Sequence, residues 1–573
     1  MSGETISTVK NRERGSGSSE KRGLKIAIIG GGPRGLYSLQ SLHDELQRRD
    51  LGPADCSVTI FEPATSLGAG NVYDLNQPPC LRMNFAARHI DAWARDARPE
   101  HSSRLTLVEW LELNWPGQYA EHSFVPRALV GRYLNECYQL VENELRSLVD
   151  YLVIPERVTS LEPVSGQWVV HYGGTSSMFD EVVLTVGHEG WRESRVDDTA
   201  VPYISTFPTG SQLSRTKVPA GCNVAVRGFG LTWIDTALTL TEGRGGRFRC
   251  DENDWEYVSC GQEPRQIYPF SRTGRPMLAK PDESRFPQPE SLEVIWQTGR
   301  EQILKVASRG VAAQCGAELW GIVQGAAAAA LAAVNGRQTS GKDVEAWFNE
   351  WTGAEMTPAK VLATMRLSCR IATGQSPPDI GWAIGAAWRN LYPALVEAVS
   401  HGGLAANAWK EFRTITGEME RIAFGPPAEN LRRVVALVEA GIVNLQFLLG
   451  QVRSSADRLV LSAGDAQVPL DRCVNAVIPS PRELCGDGPL QRLLEKKTIG
   501  RLAGADGICV DHAGRPLKNG CRKADNLAIF GRATEGCILG NDTLSRKLHD
   551  HPTQWAREVV ARLHSRKGLT VGG

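Results

Sequence analysis

The stretch LKIAIIGGGPRG at residues 24–35 constrains the fold of this chain more than any other. An apolar run ending in a glycine turn and followed by a helical pattern opens a strand–turn–helix unit, and such a unit buries its strand in a parallel sheet. The glycines have separate tasks. Gly30 makes the tight turn, Gly32 lets the backbone approach a pyrophosphate, and Gly35 lets the helix pack closely on the strand. Pro33 and Arg34 open that helix, whose N-terminal N–H groups suit a phosphate. The next strand, VTIFE, ends in Glu62, an acid placed to accept hydrogen bonds from a ribose. The interval from glycines to acid is longer than usual, and the loop RRDLGPADC at residues 48–56 accounts for the excess. A lone glycine motif says little. Strand, turn, helix and acid in this order set it apart from a glycine-rich turn without a ligand.

Composition narrows the class. The 573 residues are enough for about two to four domains. Lysine plus arginine equals aspartate plus glutamate at 64 each, so no net field points to nucleic acid or an anionic membrane. The thirteen cysteines are scattered, with no CxxC, which is expected of a reduced cytoplasmic protein. Residues 1–23 are polar and mixed in charge, lack the apolar core of a signal peptide, and read as a disordered tail. With no unbroken apolar run of about 18 residues, no membrane span is expected. The alanine-rich run at residues 325–334 reads as a buried helix.

A second glycine turn follows in CNVAVRGFGLTWID at residues 222–235, with Gly228 and Gly230 after an apolar strand. Trp233 stands where a third small residue belongs, and an indole does not allow the same close contact of helix and strand. The matching strand RQIYPF ends in Ser271-Arg272 instead of an acid. A basic residue there suits a ribose 2′-phosphate, which favours NADPH over NADH; the competing reading is a surface arginine on a structural unit. Between the two turns, QWVVHY and EVVLTVGH read as strands, the second ending near Gly187. After residue 284 helical periodicity takes over, at residues 291–314, 317–334, 344–351, 358–371 and 382–400. Strand patterns resume at residues 458–464 and 473–478, and the unit at residues 526–551 reads as strand, turn and helix.

This order resembles the two-dinucleotide-binding flavoproteins. The resemblance implies an α/β fold with two Rossmann-like domains, one for FAD and one for NADPH, and an inserted helical domain. It divides the chain into a first FAD-domain part at 24–205, an NADPH-binding domain at 206–283, a helical or substrate domain at 284–450, and a strand return with the rest of the FAD domain at 451–573. It also places Gly531 and Asp542 beside the flavin's ribityl and pyrophosphate. Five blocks narrow it further: residues 67–93, 228–248, 271–276, 419–427 and 531–546 together are similar to the subgroup that includes the bacterial aspartate N-monooxygenases, relatives of the ornithine and lysine N-hydroxylases.

The resemblance implies that NADPH reduces FAD, that O2 adds as a C4a-hydroperoxide, and that a neutral amine attacks its distal oxygen. The expected substrate is a small amino acid, with L-aspartate first, and oxidation stops at the N-hydroxy stage or continues to the nitro product. A substrate with two carboxylates needs cationic anchors, for which Arg272, Arg275 and Arg421 are the candidates. Arg272 is thus claimed by two jobs, and Arg421 is otherwise a helix-surface arginine. In the segment expected to pass the flavin ring, Gly68 and Gly70 permit close backbone approach, and Asn71 and Asn84 are placed to bond the ring edge or orient oxygen. His89 and His188 read as structural. Neither GxSxG nor HExxH occurs, and Asp251–Asp254 lacks the glycine and distal acid of a calcium loop. His549 and His551, two apart in a helical pattern, read as solvated surface, so no metal is expected. The expected partners are the amino acid and O2, with no nucleic acid and no membrane; a homo-oligomer stays open. Two other readings also stay open: a general flavin oxidoreductase acting on another substrate, and a flavin- or nucleotide-binding module without turnover.

Overall fold

The computed structural model describes residues 23–94, 103–187, 201–251, 254–284, 290–310, 316–336, 338–455, 458–483, 488–518, 520–541, 544 and 546–568. The opening apolar run forms β1 (Leu24–Ile29), followed by α1 (Pro33–Arg48) and β2 (Cys56–Phe61). β1 is central in a five-stranded, all-parallel sheet ordered Leu527–Ile529, Glu181–Leu184, β1, β2, Asp150–Ile154. A strand with neighbours on both edges and cover on both faces must be apolar throughout; Ile26, Ala27 and Ile28 are completely inaccessible. One face packs on α1 and the helices Arg127–Arg146 and His551–Gly568. The other packs on an antiparallel meander, Val158–Val164, Gln167–Tyr172 and Thr175–Phe179.

The sheet's last strand comes from the far end of the chain. Its neighbour begins with Glu181, fully buried, which accepts hydrogen bonds from Arg515, Arg562 and Trp555 Nε1, the last at 2.8 Å. A buried carboxylate is tolerated only when so paired, and here the pairing ties the C-terminal segment to the sheet.

The second sheet is also parallel, ordered Gln266–Phe270, Asn223–Arg227, Arg472–Asn475, Tyr203–Ser205. This corrects two expected boundaries. Tyr203–Ser205 falls in the span assigned to the first domain, and Arg472–Asn475 in the span assigned to its return, yet both complete the second sheet. The antiparallel strands Gln451–Ser455, Arg458–Ala463 and Ala466–Leu470 pack on that sheet too, around Tyr268, Phe447 and Cys473. An apolar strand pattern specifies burial and not which of two parallel sheets receives the strand.

The helical region contains Glu290–Ala307, Gly316–Asn335, Gly341–Gly353, Pro358–Ala372 and Ile380–Val399, and adds Ala406–Ala423 and Ala428–Glu439. Its core is continuous with that of the second sheet: Val224, Val226 and Trp233 belong to the same buried cluster as Trp296, Trp388 and Phe412. The insertion therefore folds onto the second unit. Gly316–Asn335 is long and apolar enough, by length and composition, to cross a membrane, which a search for an unbroken apolar run did not register. Half of it is buried, with Glu290–Ala307 and Ile380–Val399 as its partners. The buried ion pair of Arg127 and Asp235 joins the two units.

Candidate nucleotide and oxidation site

The first glycine turn makes a cradle. Gly30 has φ +109°, and a Cβ there would lie 2.4 Å from the Thr185 carbonyl oxygen, so only glycine fits. A Cβ on Gly35 would lie 2.3 Å from the Gly30 oxygen, which is the close approach of helix to strand expected from the sequence. Gly32 differs: its Cβ position faces only the Gly70 Cα, at 3.7 Å. Glycines 32 and 70 thus lie side by side at the N-terminus of α1, each too close to the other's Cα for more than a Cβ, and Pro33 takes a first helical position that needs no N–H donor. Glu62 accepts from the Gly31 N–H at 2.8 Å through one carboxylate oxygen and from the Ala64 N–H at 2.9 Å through the other, which fixes it beside the turn with lone pairs left over.

The C-terminal segment closes this cradle. Gly531 follows its strand with φ +82° and lies against the Arg34 side chain. Arg34 Nη2 donates to the Asn541 carbonyl at 3.0 Å, and the Tyr37 hydroxyl donates to the Leu544 carbonyl at 2.9 Å. Arg546 donates to Gln40 and Ser41 on α1 and to the Ala92 carbonyl. Asp542 and His188 lie outside the described residues. Gly187, exposed with φ +63°, ends the strand beside β1. Gly68 serves another purpose than expected: a Cβ there would strike the Leu134 carbonyl oxygen at 2.4 Å, so its close approach is to the helix Arg127–Arg146.

The second turn repeats the geometry. A Cβ on Gly228, φ +117°, would sit 3.0 Å from the Ala476 carbonyl oxygen, whereas Gly230 faces open space, its nearest neighbour being Met277 Sδ at 4.0 Å. Gly230 precedes the helix Leu231–Leu240 as Gly32 precedes α1. Trp233 is buried against Phe229, ring centroids 4.8 Å apart, and fills the place of the third small residue. Strand Gln266–Phe270 runs parallel to Asn223–Arg227 with Phe270 opposite Arg227, so exposed Arg272 lies at the edge of the second turn.

The three candidate arginines are not equivalent. Arg275 is committed: Nε and Nη2 grip both oxygens of Glu418 at 3.0 and 2.7 Å, and Trp351 Nε1 donates to the same carboxylate. A neutralised guanidinium is a poor receptor for a substrate carboxylate, and the expectation for Arg275 is corrected on that ground. Arg421 Nη1 donates to the carbonyls of Phe229 and Arg275, which puts it beside the second turn, with burial lowering its proton affinity.

Asn71 is exposed at the start of a short turn of helix, Asn71–Tyr73. Asn84 lies deeper, where all parts of the chain meet. Its Nδ2 approaches the Phe424 carbonyl at 3.4 Å, and its own carbonyl accepts from Lys280 Nζ at 2.7 Å. Lys280, missed in the sequence, is buried, with its ammonium 4.1 Å from the Phe85 ring centre. Burial first, and then the nearby Arg389, push it down to about 7. Arg389 Nη1 donates to the Ala423 carbonyl at 2.9 Å, and burial pushes this guanidinium down to about 10. Tyr392, one helical turn on, stacks edge-on with Phe424 at 5.0 Å and lies where a Cβ on Gly540 would touch its hydroxyl at 2.8 Å. The neighbour of Asn541 in the first cradle therefore adjoins the helical insertion.

The histidines correct another expectation. His549 and His551 are buried, with stacked rings 5.1 Å apart. His401 contacts His551 and His512. The spacing argument assumed one helix through both residues, but the helix begins at His551.

Residues 27–189, which hold the whole first cradle except its C-terminal closure, match the FAD-NAD(P)-binding family model. This segment is similar to FAD-NAD(P)-binding domains. Across most of its length the chain containing it is similar to a nitrosuccinate-forming L-aspartate N-monooxygenase of Streptomyces cremeus, 26% identical over 74% of each chain. It is also similar to a nitrosuccinic acid synthase of Aspergillus oryzae, 25% identical over 80% of this chain and 78% of that one. An ornithine hydroxylase structure from Pseudomonas aeruginosa aligns with 95% of this chain and 99% of its own at 11% identity and a TM-score of 0.49. The segment fits a dinucleotide by its own geometry: two glycines without side chains at a helix N-terminus, a fixed acid one strand away, and a C-terminal segment hydrogen-bonded to the same helix.

Proposed function

We propose that this chain is an FAD- and NADPH-dependent monooxygenase that hydroxylates the amine of a small amino acid, L-aspartate being the preferred candidate. The observation that carries the reading is the coincidence of the closed glycine cradle with sequence similarity to aspartate N-monooxygenases over three quarters of the chain.

FAD, once bound, supplies hydride acceptance and oxygen activation. The rest is done by protein groups. The backbone of Gly32, bare of side chain, and the N-terminus of α1 receive the pyrophosphate, Glu62 the ribose, and Gly531 with Asp542 the ribityl side. Gly187 borders the same pocket. In the second unit Gly228 and Gly230 receive the nicotinamide cofactor's pyrophosphate. Arg272 meets its 2′-phosphate, and a phosphate dianion binds a free guanidinium bidentately. Arg421 stands between the second cradle and the substrate. Asn84, held by Lys280, presents its amide to the reacting region, and Asn71 flanks the first cradle. Phe85, Phe424 and Tyr392 exclude water there, which strengthens every charge interaction.

Purified protein incubated with NADPH, O2 and a panel of amino acids, with products identified by mass spectrometry, tests the reading. Formation of N-hydroxyaspartate or nitrosuccinate is expected. NADPH oxidation indifferent to every amino acid would instead indicate a general flavin oxidoreductase, and bound FAD without NADPH oxidation a binding module.

A further inference from the structure

Two cations meet at the junction of the first cradle, the second unit and the helical insertion, Lys280 buried and Arg389 half-buried, and among the described residues neither is in ion-pair contact with a carboxylate. Lys280 uses one of its three N–H donors, on the Asn84 carbonyl. Its remaining shell is aromatic, Phe85 at 4.1 Å and Phe424 at 5.8 Å. Arg389 donates to the Ala423 carbonyl and lines a cavity of about 180 Å³ whose walls include Ala279, Pro281 and Trp382 and also the carboxylates of Glu350 and Asp379; Lys280 borders it through its chain neighbours, not by its own side chain. Among the described residues neither cation has a carboxylate within 4.0 Å. Glu283 favours the charged form of both from a distance, and Glu420 that of Lys280, but the direct partners of Glu283 are Arg88 and His89.

This arrangement is costly by itself. A buried charge without a counter-ion is strongly unfavourable, and a second like charge nearby adds repulsion. Arg275, by comparison, is fully neutralised by Glu418. A dianion bound at the junction would relieve both cations together, while a monoanion would leave one uncompensated. The position suits the reaction: Lys280 holds Asn84, and Tyr392, on the helix of Arg389, meets the loop of Gly540 beside the first cradle.

We infer that Lys280 and Arg389 are the anchor for the two carboxylates of a dicarboxylate substrate and set the enzyme's preference for such substrates. This rests on the proposed function and deepens it, because it makes acidic amino acids the substrate class and assigns the anchoring to two cations outside the arginines marked by the sequence.

The test uses FAD-loaded enzyme and isothermal titration with succinate, a dicarboxylate without an amine, and with L-aspartate. Wild type should bind both. Lys280→Met and Arg389→Met should each weaken succinate at least tenfold with FAD content unchanged, and Arg389→Lys should recover part of the loss. Because Lys280 titrates near neutrality, binding near pH 7.5 should take up protons, seen as a dependence of the heat on the buffer's ionisation enthalpy; Lys280→Met should abolish that uptake. Unchanged affinity in both Met variants, or wild type that binds neither ligand, would overturn the inference. Should a Met variant fail to fold, proton uptake by wild type and the affinity of Arg389→Lys and Lys280→Arg decide it: absent uptake together with unchanged affinity rejects the anchor. If succinate binds through these residues while no amino acid is oxidised, the anchor stands and the proposed reaction fails. If aspartate is oxidised while both variants bind it normally, the reaction stands and the anchor fails.

Discussion

Arg34 Nη2 donates to the carbonyl of Asn541 at 3.0 Å, a contact between residues 507 positions apart in sequence. It joins the helix that starts the nucleotide cradle to the segment that closes it. A hydrogen bond from a charged donor contributes about 1.5–3 kcal/mol. Arg34→Met is therefore expected to weaken FAD binding by about tenfold or more, measured as flavin loss on gel filtration and as the Kd for rebinding to stripped enzyme.

Gly32→Val is expected to abolish FAD binding. The new side chain covers the glycine backbone that the pyrophosphate approaches, its Cβ already in contact with the Gly70 Cα at 3.7 Å. The readout is the ratio of flavin to protein absorbance. Circular dichroism at wild-type strength is the control that separates loss of flavin from loss of fold, because the added side chain abuts the Gly70 backbone.

Arg272→Ala is expected to raise KM for NADPH by about tenfold or more and leave KM for NADH nearly unchanged, as loss of a charge-assisted contact to a phosphate found only in NADPH requires. Steady-state NADPH and NADH oxidation at saturating substrate checks this. Equal effects on the two would transfer Arg272 from the cofactor phosphate to the substrate.

Glu418→Ala leaves the Arg275 guanidinium buried without its carboxylate. Side chains on both sides of this pair are 12% exposed, and breaking a buried pair costs about 3–5 kcal/mol. A clear drop in Tm is expected, larger than that of an exposed pair such as Arg366 with Glu439 removed in the same way.

Acid sensitivity should trace to His549. Burial pushes this imidazole down to about 4, and its Nε2 donates to the Leu539 carbonyl at 2.7 Å. Between about pH 6.5 and 4 the unfolded chain binds a proton there that the folded chain does not, so stability falls as pH falls through that window. His551, also buried and lowered, acts in the same direction. In His549→Gln the decline in Tm from pH 7 to 5 is expected to be shallower than in wild type.

What the sequence disclosed was local or periodic. The turn at residues 30–35 and Glu62 are recognisable because their jobs fall to near neighbours, and the helices after residue 284 because a buried stripe repeats every three or four residues. Lys280 was invisible because its burial is made by Phe85 and Phe424, far from it and from each other in the chain. Arg275 looked like a free anchor because Glu418 lies 143 positions away. Arg472–Asn475 was legible as a strand, but its register beside Asn223–Arg227 is a tertiary choice that no local pattern encodes.

The pairing of Leu527–Ile529 with Glu181–Leu184 has a consequence for biosynthesis. The edge of the first sheet stays open, and Glu181 without Arg515 and Arg562, until the ribosome has passed residue 562. Domains fold as their segments emerge, so the first sheet is completed only after every strand of the second has been made. A nascent chain arrested before residue 527 would expose an unpaired apolar strand edge, a template for association with other chains, and cofactor loading would have to await release.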